Sequence, residues 1–199
     1  MIKKLFLLML VSTLSFAKAQ EAVVSLLSIA NPITFNETEF FLNQSKQRSK
    51  TLFQEQYIPK DESLEHFNQL MDFSFFNKEI EMELAVRQKV EMVQQREEKD
   101  KFAKVNVTES PDGAEYIVDY FISESPENGD PYVEYNIYRF KQSESGGQKN
   151  FLMVSYANRI YGDLKSAAKS LGKQRDHLMA TMIEYQIPEI KVAQASSGN

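Results

Sequence analysis

The sequence contains no cysteine in its 199 residues. This absence excludes disulfide bonds, thiolate nucleophiles, cysteine-ligated zinc and iron–sulfur clusters. It also excludes a lipid anchor attached to a cysteine. An exported chain without disulfides must rely on its hydrophobic core alone, and about 180 residues are enough for one domain of ordinary size.

Histidine and glycine are scarce as well, with only two and seven residues. No H-E-x-x-H, G-x-S-x-G, P-loop, G-x-G-x-x-G or calcium-loop motif occurs. A zinc site or a serine–histidine–aspartate triad assembled from distant residues, with His66 or His177, stays open. Because no motif holds a cofactor or a metal, we expect neither, and this absence favours a non-enzymatic protein.

Long apolar runs are absent except at the N-terminus. Lys3 and Lys4 precede the mostly apolar stretch Leu5–Phe16, and a small residue, Ala19, stands just before Gln20. This pattern predicts a secretory signal peptide that is cleaved between Ala19 and Gln20. The apolar stretch is shorter than the roughly 20 residues needed to cross a bilayer. We therefore expect export to the periplasm or the medium, and no membrane span in the mature protein.

Basic residues are in the minority. The chain has 23 lysines and arginines against 28 acidic residues, for a formal net charge of −5. Cleavage would remove three lysines and no acidic residue, which leaves 20 against 28 and a net charge of −8. Nucleic acids and anionic membranes require a basic surface. An acidic protein of this kind is therefore predicted not to bind nucleic acid.

The remaining chain is predicted to form one α+β domain over residues 20–192, with a disordered tail over 193–199. Two long amphipathic helices are expected. The first covers 78–102, which lacks glycine and proline and has an apolar stripe at helical spacing. The second begins at about Asp163, a plausible N-cap residue, and runs to Tyr185.

The other segments predict an antiparallel sheet of six or seven strands. Turn signals such as Pro111-Asp112-Gly113 separate short alternating segments, which pair with their neighbours in sequence. A short helix is expected over 64–70. The predicted strands are two or three within 22–58, followed by 71–76, 105–109, 116–122, 132–141 and 151–161.

Tyr57-Ile58-Pro59, followed by Glu62–Glu65 and Phe67, resembles a strand–proline–helix arrangement of some small exported bacterial proteins of unknown function. The order of elements is similar to that of PsbP-like α/β/α sandwich domains, although the long helix 78–102 is not typical of them. Such domains are mostly non-catalytic binding or assembly factors. The resemblance therefore implies a PsbP-like sandwich with a non-enzymatic role.

Arginine and tyrosine side chains suggest a binding site on the last two predicted strands. Alternation places Arg139 on one face of its strand, and Arg159 on the same face of its strand as Tyr161. If these faces turn inward, Asp119 and Glu134 are candidate partners for the guanidinium groups. As a ligand site, the group would select a carboxylate or a phosphate. As a structural feature, it would be an ion pair at a sheet edge.

Three functions stay open. The leading hypothesis is a non-enzymatic exported protein that binds an unknown protein or small molecule, or assists assembly at the cell envelope. The first alternative is a small-molecule or lipid carrier with an aromatic-lined cavity, to which 71–76 would contribute. The second is a glycan hydrolase that uses a carboxylate pair drawn from Glu55, Asp119 and Glu134. The oligomeric state is left open.

Overall fold

The computed structural model describes residues 23–145 and 147–193. The predicted signal peptide, its cleavage site between Ala19 and Gln20, and residues 194–199 of the predicted tail lie outside this part of the chain. Within the described residues, no helix is both long enough and apolar enough to cross a membrane.

In the described part of the chain, eight strands form one sheet in which every neighbouring pair is antiparallel. The strands are β1 (Ile33–Phe35), β2 (Thr38–Gln47), β3 (Leu52–Pro59), β4 (Gln69–Phe76), β5 (Lys104–Glu109), β6 (Glu115–Glu124), β7 (Tyr132–Ser145) and β8 (Gln148–Tyr161). Their order across the sheet is β1-β2-β3-β4-β8-β7-β6-β5, and the sheet curls into a half-barrel. The long strands β7 and β8 therefore lie near the middle of the sheet, and β8 pairs with β4.

Two helices cover different parts of the sheet. Helix α1 is Met82–Glu97 and helix α2 is Leu164–Glu184. The Asp163 side chain accepts a hydrogen bond from the Ser166 backbone N–H at 2.9 Å, which confirms the predicted N-cap. Helix α1 packs on β5, β6 and β7, whereas α2 packs on β7 and β8.

The two helices lie on opposite faces of the sheet, as the alternation of buried side chains shows. On β6, Ile117 belongs to the hydrophobic cluster under α2, and its neighbour Val118 belongs to the cluster under α1. On β8, Val154 faces α2 and Met153 faces α1. The cluster under α2 is the larger one, and it includes aromatic side chains from β1, β2, β3, β4, β7 and β8.

The predicted architecture is wrong. We expected six or seven strands and two long helices in a PsbP-like α/β/α sandwich, but eight strands form a curled half-barrel and α1 has only 16 residues. Helix α1 ends early because the Asp100 carboxylate accepts hydrogen bonds from the Phe102 N–H and from the backbone N–H and hydroxyl of Ser123 on β6. These bonds turn the chain into β5.

The short helix predicted over 64–70 does not form. The Glu62 carboxylate accepts a hydrogen bond from the Asn68 N–H at 2.8 Å, and β4 already begins at Gln69. A local side-chain-to-backbone hydrogen bond thus replaces the first turn of a helix.

Candidate functional site

A cavity of about 380 Å³ lies on the α1 face of the sheet, beside the strands that α1 does not cover. Its volume is within the range of small-molecule sites, about 300–1,000 Å³. We call it the polar pocket, and its polar lining includes Gln56, Asp72, Lys89, Glu134, Tyr138 and Ser155. Leu64, Phe67 and Leu70 form an apolar edge.

The floor of the polar pocket is a row of polar side chains across four adjacent strands. Gln56 of β3 pairs with Asp72 of β4, Asp72 pairs with Ser155 of β8, and Ser155 pairs with Tyr138 of β7. Directly opposed residues in antiparallel strands share a face. This register therefore brings one carboxyl group, one amide and two hydroxyl groups onto the same floor.

Asp72 is the most unusual member of this row. It is only 8% exposed, and it lies in a strand whose neighbouring side chains are core residues. Its carboxylate accepts hydrogen bonds from Gln54 Nε2 at 2.6 Å and from Ser74 Oγ at 2.8 Å. Burial raises the pKa of Asp72 above its ordinary value, although these hydrogen bonds act in the opposite direction.

Lys89 reaches the polar pocket from α1. Its Nζ lies 3.8 Å from the centre of the Tyr138 ring, which is a cation–π contact. Burial lowers the pKa of Lys89, and the negative charge of Asp72 opposes that shift. Among the residues that the structure describes, neither Lys89 nor Asp72 forms an ion pair.

An ion pair closes one end of the polar pocket. Arg159 Nη2 lies 2.7 Å from Glu134 Oε2, and the guanidinium carbon is 4.0 Å from the ring centres of both Phe67 and Tyr132. Tyr161 supports the pair, because its hydroxyl lies 3.2 Å from Arg159 Nη1 and donates to the Phe67 carbonyl at 3.1 Å. Arg159 is thus fully engaged by protein groups at this end.

Arg139 lies on the opposite face, under α2. It pairs with Glu115, and its Nη1 donates to the carbonyl oxygens of Met182 at 3.0 Å and Tyr185 at 2.9 Å. It therefore satisfies carbonyl groups at the C-terminus of α2, where a positive charge is favourable. The structure does not bring Arg139 together with Arg159.

Asp119 is fully buried on the α2 face. Its two carboxylate oxygens accept from Arg175 of α2, with distances of 2.7 Å to Nε and 2.9 Å to Nη2. Tyr135 adds a hydroxyl donor at 3.1 Å. The partner of Asp119 is therefore a helical arginine, and neither of the two strand arginines considered from the sequence.

Glu55 is also fully buried, on the same face of the sheet as α2, where it holds the N-terminal segment. It accepts from the backbone N–H groups of Leu26 at 2.6 Å and Leu27 at 3.1 Å, and from the hydroxyls of Ser45 and Tyr57. Glu55 and Asp119 thus face α2, whereas Glu134 faces the polar pocket. The three carboxylates proposed for a glycan hydrolase do not converge on one cavity.

The two histidines lie apart and contact different elements. His66 stacks on the Tyr161 ring, with 4.2 Å between ring centres, and His177 Nε2 lies 2.8 Å from Asn36 Oδ1. In the part of the chain that the structure describes, no group of three or more histidine, aspartate or glutamate residues is arranged to hold a metal ion.

Sequence reasoning named Arg159 and Tyr161, which lie at the end of the polar pocket, but missed Asp72 and Lys89. A signal was present in β4, where Asp72 and Ser74 alternate with core residues. Polar residues at every second position of a central strand indicate a polar, partly covered face. Lys89 gave no comparable signal, because lysines are common on helix surfaces.

A protein-family model matches residues 27–187, and the chain belongs to that uncharacterised family of bacterial proteins. The matched region contains all eight strands, both helices and every residue named in the polar pocket. No curated protein and no solved structure matches the chain.

Proposed function

We propose that this member of an uncharacterised bacterial family is an exported, non-enzymatic binding protein that holds a small polar molecule in the polar pocket. The observation that carries the proposal is Asp72, a buried carboxyl group on the floor of a 380 Å³ cavity that has no ion-pair partner among the described residues. Buried charges are costly unless they are paired, so they are typical of functional sites.

The lining supports binding of a polar molecule over binding of a lipid. Apart from its four charged side chains, it offers the amides of Gln54, Gln56 and Asn136 and the hydroxyls of Ser74 and Ser155. Such groups donate and accept hydrogen bonds and fix the orientation of a polar ligand. The aromatic side chains suggested for a lipid carrier, such as Phe73 and Phe75, instead pack in the core under α2.

Native mass spectrometry tests the binding proposal. Wild-type protein incubated with a mixture of small polar metabolites should carry an added mass after buffer exchange. Gln56→Trp, which places an indole in the cavity, should carry none. Gln142→Trp, an exposed position on β7 outside the pocket, should behave as the wild type. Equal masses for the bare chain and the incubated wild type would contradict the proposal.

Export rests on the N-terminal pattern of the sequence alone. N-terminal sequencing of the protein recovered from its bacterium tests it. Protein from the periplasm or the medium that begins at Gln20 is the expected result. A cytoplasmic chain that begins at Met1 would contradict export. It would not affect the binding proposal, which depends on the polar pocket.

A further inference from the structure

The polar pocket has four charged side chains, and two of them pair with each other. Glu134 and Arg159 neutralise each other, and the Asn136 amide donates to Glu134 at 2.9 Å. Asp72 and Lys89 have no ion-pair partner among the described residues. The pocket therefore presents one unpaired negative charge and one unpaired positive charge to whatever it binds.

The two unpaired charges are carried by different elements, Asp72 by β4 and Lys89 by α1. Lys89 Nζ sits over the ring of Tyr138 on β7, and the Asp72 carboxylate is held on β4 by Gln54 and Ser74. Strand β8 lies between them, with Ser155 in the same row. Since neighbouring strands are about 4.8 Å apart, roughly 10 Å separates the backbones of Asp72 and Tyr138.

Both charges are disfavoured by their surroundings. Burial raises the pKa of Asp72 and lowers the pKa of Lys89. A ligand charge of opposite sign beside each group would reverse both effects. A ligand with only one charge would leave the other group unpaired in the same cavity.

We propose that the polar pocket recognises a small zwitterion, whose cationic group pairs with Asp72 and whose anionic group pairs with Lys89. This inference rests on the proposed binding function and specifies the chemical class of its ligand. The Ser155 hydroxyl, between the two charged groups, is placed to hydrogen-bond the middle of such a molecule. The separation across the row favours charges several bonds apart over those of glycine.

Isothermal titration calorimetry with compounds of matched length tests the inference. The probes are 5-aminopentanoate, which is zwitterionic, pentanoate and pentylamine, which carry one charge each, and the neutral polyol sorbitol. We expect 5-aminopentanoate to bind at least tenfold more tightly than either singly charged compound. Asp72→Asn and Lys89→Met should each remove that advantage, whereas the exposed controls Asp112→Asn and Lys169→Met should retain it.

Circular dichroism checks that each variant is folded, and Asp72→Ser or Lys89→Gln replaces one that is not. Equal affinity for the zwitterion and a singly charged compound would overturn the inference, as would unchanged affinity in both pocket variants. Preferential binding of sorbitol would overturn it and leave the proposed binding function intact. If none of the four probes binds, the inference is also overturned. The native mass spectrometry of the wild type and Gln56→Trp after incubation with metabolites then tests the binding function separately.

Discussion

At the scale of single residues, the burial of Asp72 disfavours its negative charge. Its pKa is raised in the folded protein because burial disfavours the carboxylate, whereas the unfolded-state pKa is ordinarily 3.8. At pH values between these two pKa values, Asp72 therefore binds a proton more readily in the folded protein than in the unfolded chain. The contribution of Asp72 to stability is therefore greatest below the unfolded-state pKa. It declines as the pH rises through the folded-state pKa.

Asp72→Asn should accordingly raise the free energy of unfolding at neutral pH, because the amide cannot ionise. The difference in the free energy of unfolding between this variant and the wild type should decrease as the pH falls towards 3.8. Urea unfolding between acid and neutral pH measures it. Asp112→Asn is the control of opposite sign, because hydrogen bonds from Ser110 and Ala114 lower the pKa of Asp112. Loss of stability at neutral pH in Asp72→Asn would contradict the account.

Removal of the Arg175 guanidinium should cost considerable stability. Arg175→Met leaves the buried carboxylate of Asp119 without its cation, which costs about 3 kcal/mol. The double variant Asp119→Asn with Arg175→Met should recover part of that loss, since the remaining amide is neutral. Lys173→Met, at an exposed position on the same helix, is the control and should change the free energy of unfolding little. A loss below about 0.5 kcal/mol in Arg175→Met would show that the pair is unimportant.

Sequence reasoning at this scale succeeded where partners are close in the sheet register. Glu134 was considered as a partner of the strand arginines, and it pairs with Arg159 directly across β7 and β8. The Asp119–Arg175 pair joins a strand to a helix 56 residues away. Its prediction requires the position of α2 over β6, which depends on tertiary packing and leaves no local pattern.

At the scale of elements, Glu55 connects the first and the last segments that the structure describes. The carboxylate holds the N–H groups of Leu26 and Leu27, and their carbonyl groups accept from Ala193 at 2.7 Å and Lys191 at 3.2 Å. The N-terminal segment therefore forms a bridge between β3 and the C-terminal segment. Glu55 anchors this segment together with Ser45, whose Oγ accepts from the Leu26 N–H at 3.1 Å, and with the buried side chain of Leu27.

Glu55→Ala should release both segments. Faster amide hydrogen exchange is expected at Leu26 and Leu27, and also at Lys191 and Ala193, whose acceptors lie on the released segment. Glu62→Ala is a matched control, because Glu62 holds the backbone N–H groups of residues 68 and 69 in a loop. It should accelerate exchange only there. Unchanged exchange at Lys191 and Ala193 in Glu55→Ala would disprove the coupling.

Gly172 lies in the middle of α2, where glycine is unfavourable. A Cβ atom added at this position would meet nothing within 4 Å. Gly172→Ala should therefore stabilise the protein by up to about 1 kcal/mol in urea unfolding. Gly162→Ala should destabilise it, since Gly162 has a φ of +104°. Destabilisation by Gly172→Ala would contradict the conclusion that there is free space for a Cβ atom at residue 172.

The elements themselves were predictable where local patterns are strong. The consecutive antiparallel pairing of β5, β6, β7 and β8 is confirmed, as is the turn at Gly113, whose φ is +69°. The bounds of α2 are confirmed, whereas α1 is shorter than predicted and the short helix over 64–70 does not form. Apolar periodicity does not record side chains such as Asp100 and Glu62, which bond backbone N–H groups and end or replace a helix.

At the scale of the whole molecule, the position of the polar pocket follows from how the helices divide the sheet. Helix α2 covers an apolar face, whereas α1 covers only β5, β6 and β7 on the other. Beside α1, this face carries polar side chains on β3, β4, β7 and β8. The curl of the sheet and this partial cover depend on packing between distant segments, so the sequence alone did not locate the pocket.

Residue-resolved NMR of ¹⁵N-labelled protein tests the central claim, which is that the polar pocket binds a small polar ligand. On addition of a mixture of amino acids, polyols and short sugars, shift changes should concentrate at the backbone amides of Asp72, Ser74, Asn136, Tyr138 and Ser155. They should disappear in Gln56→Trp and persist in Gln142→Trp. Unchanged spectra, or changes that survive Gln56→Trp and lie elsewhere on the sheet, would contradict the claim.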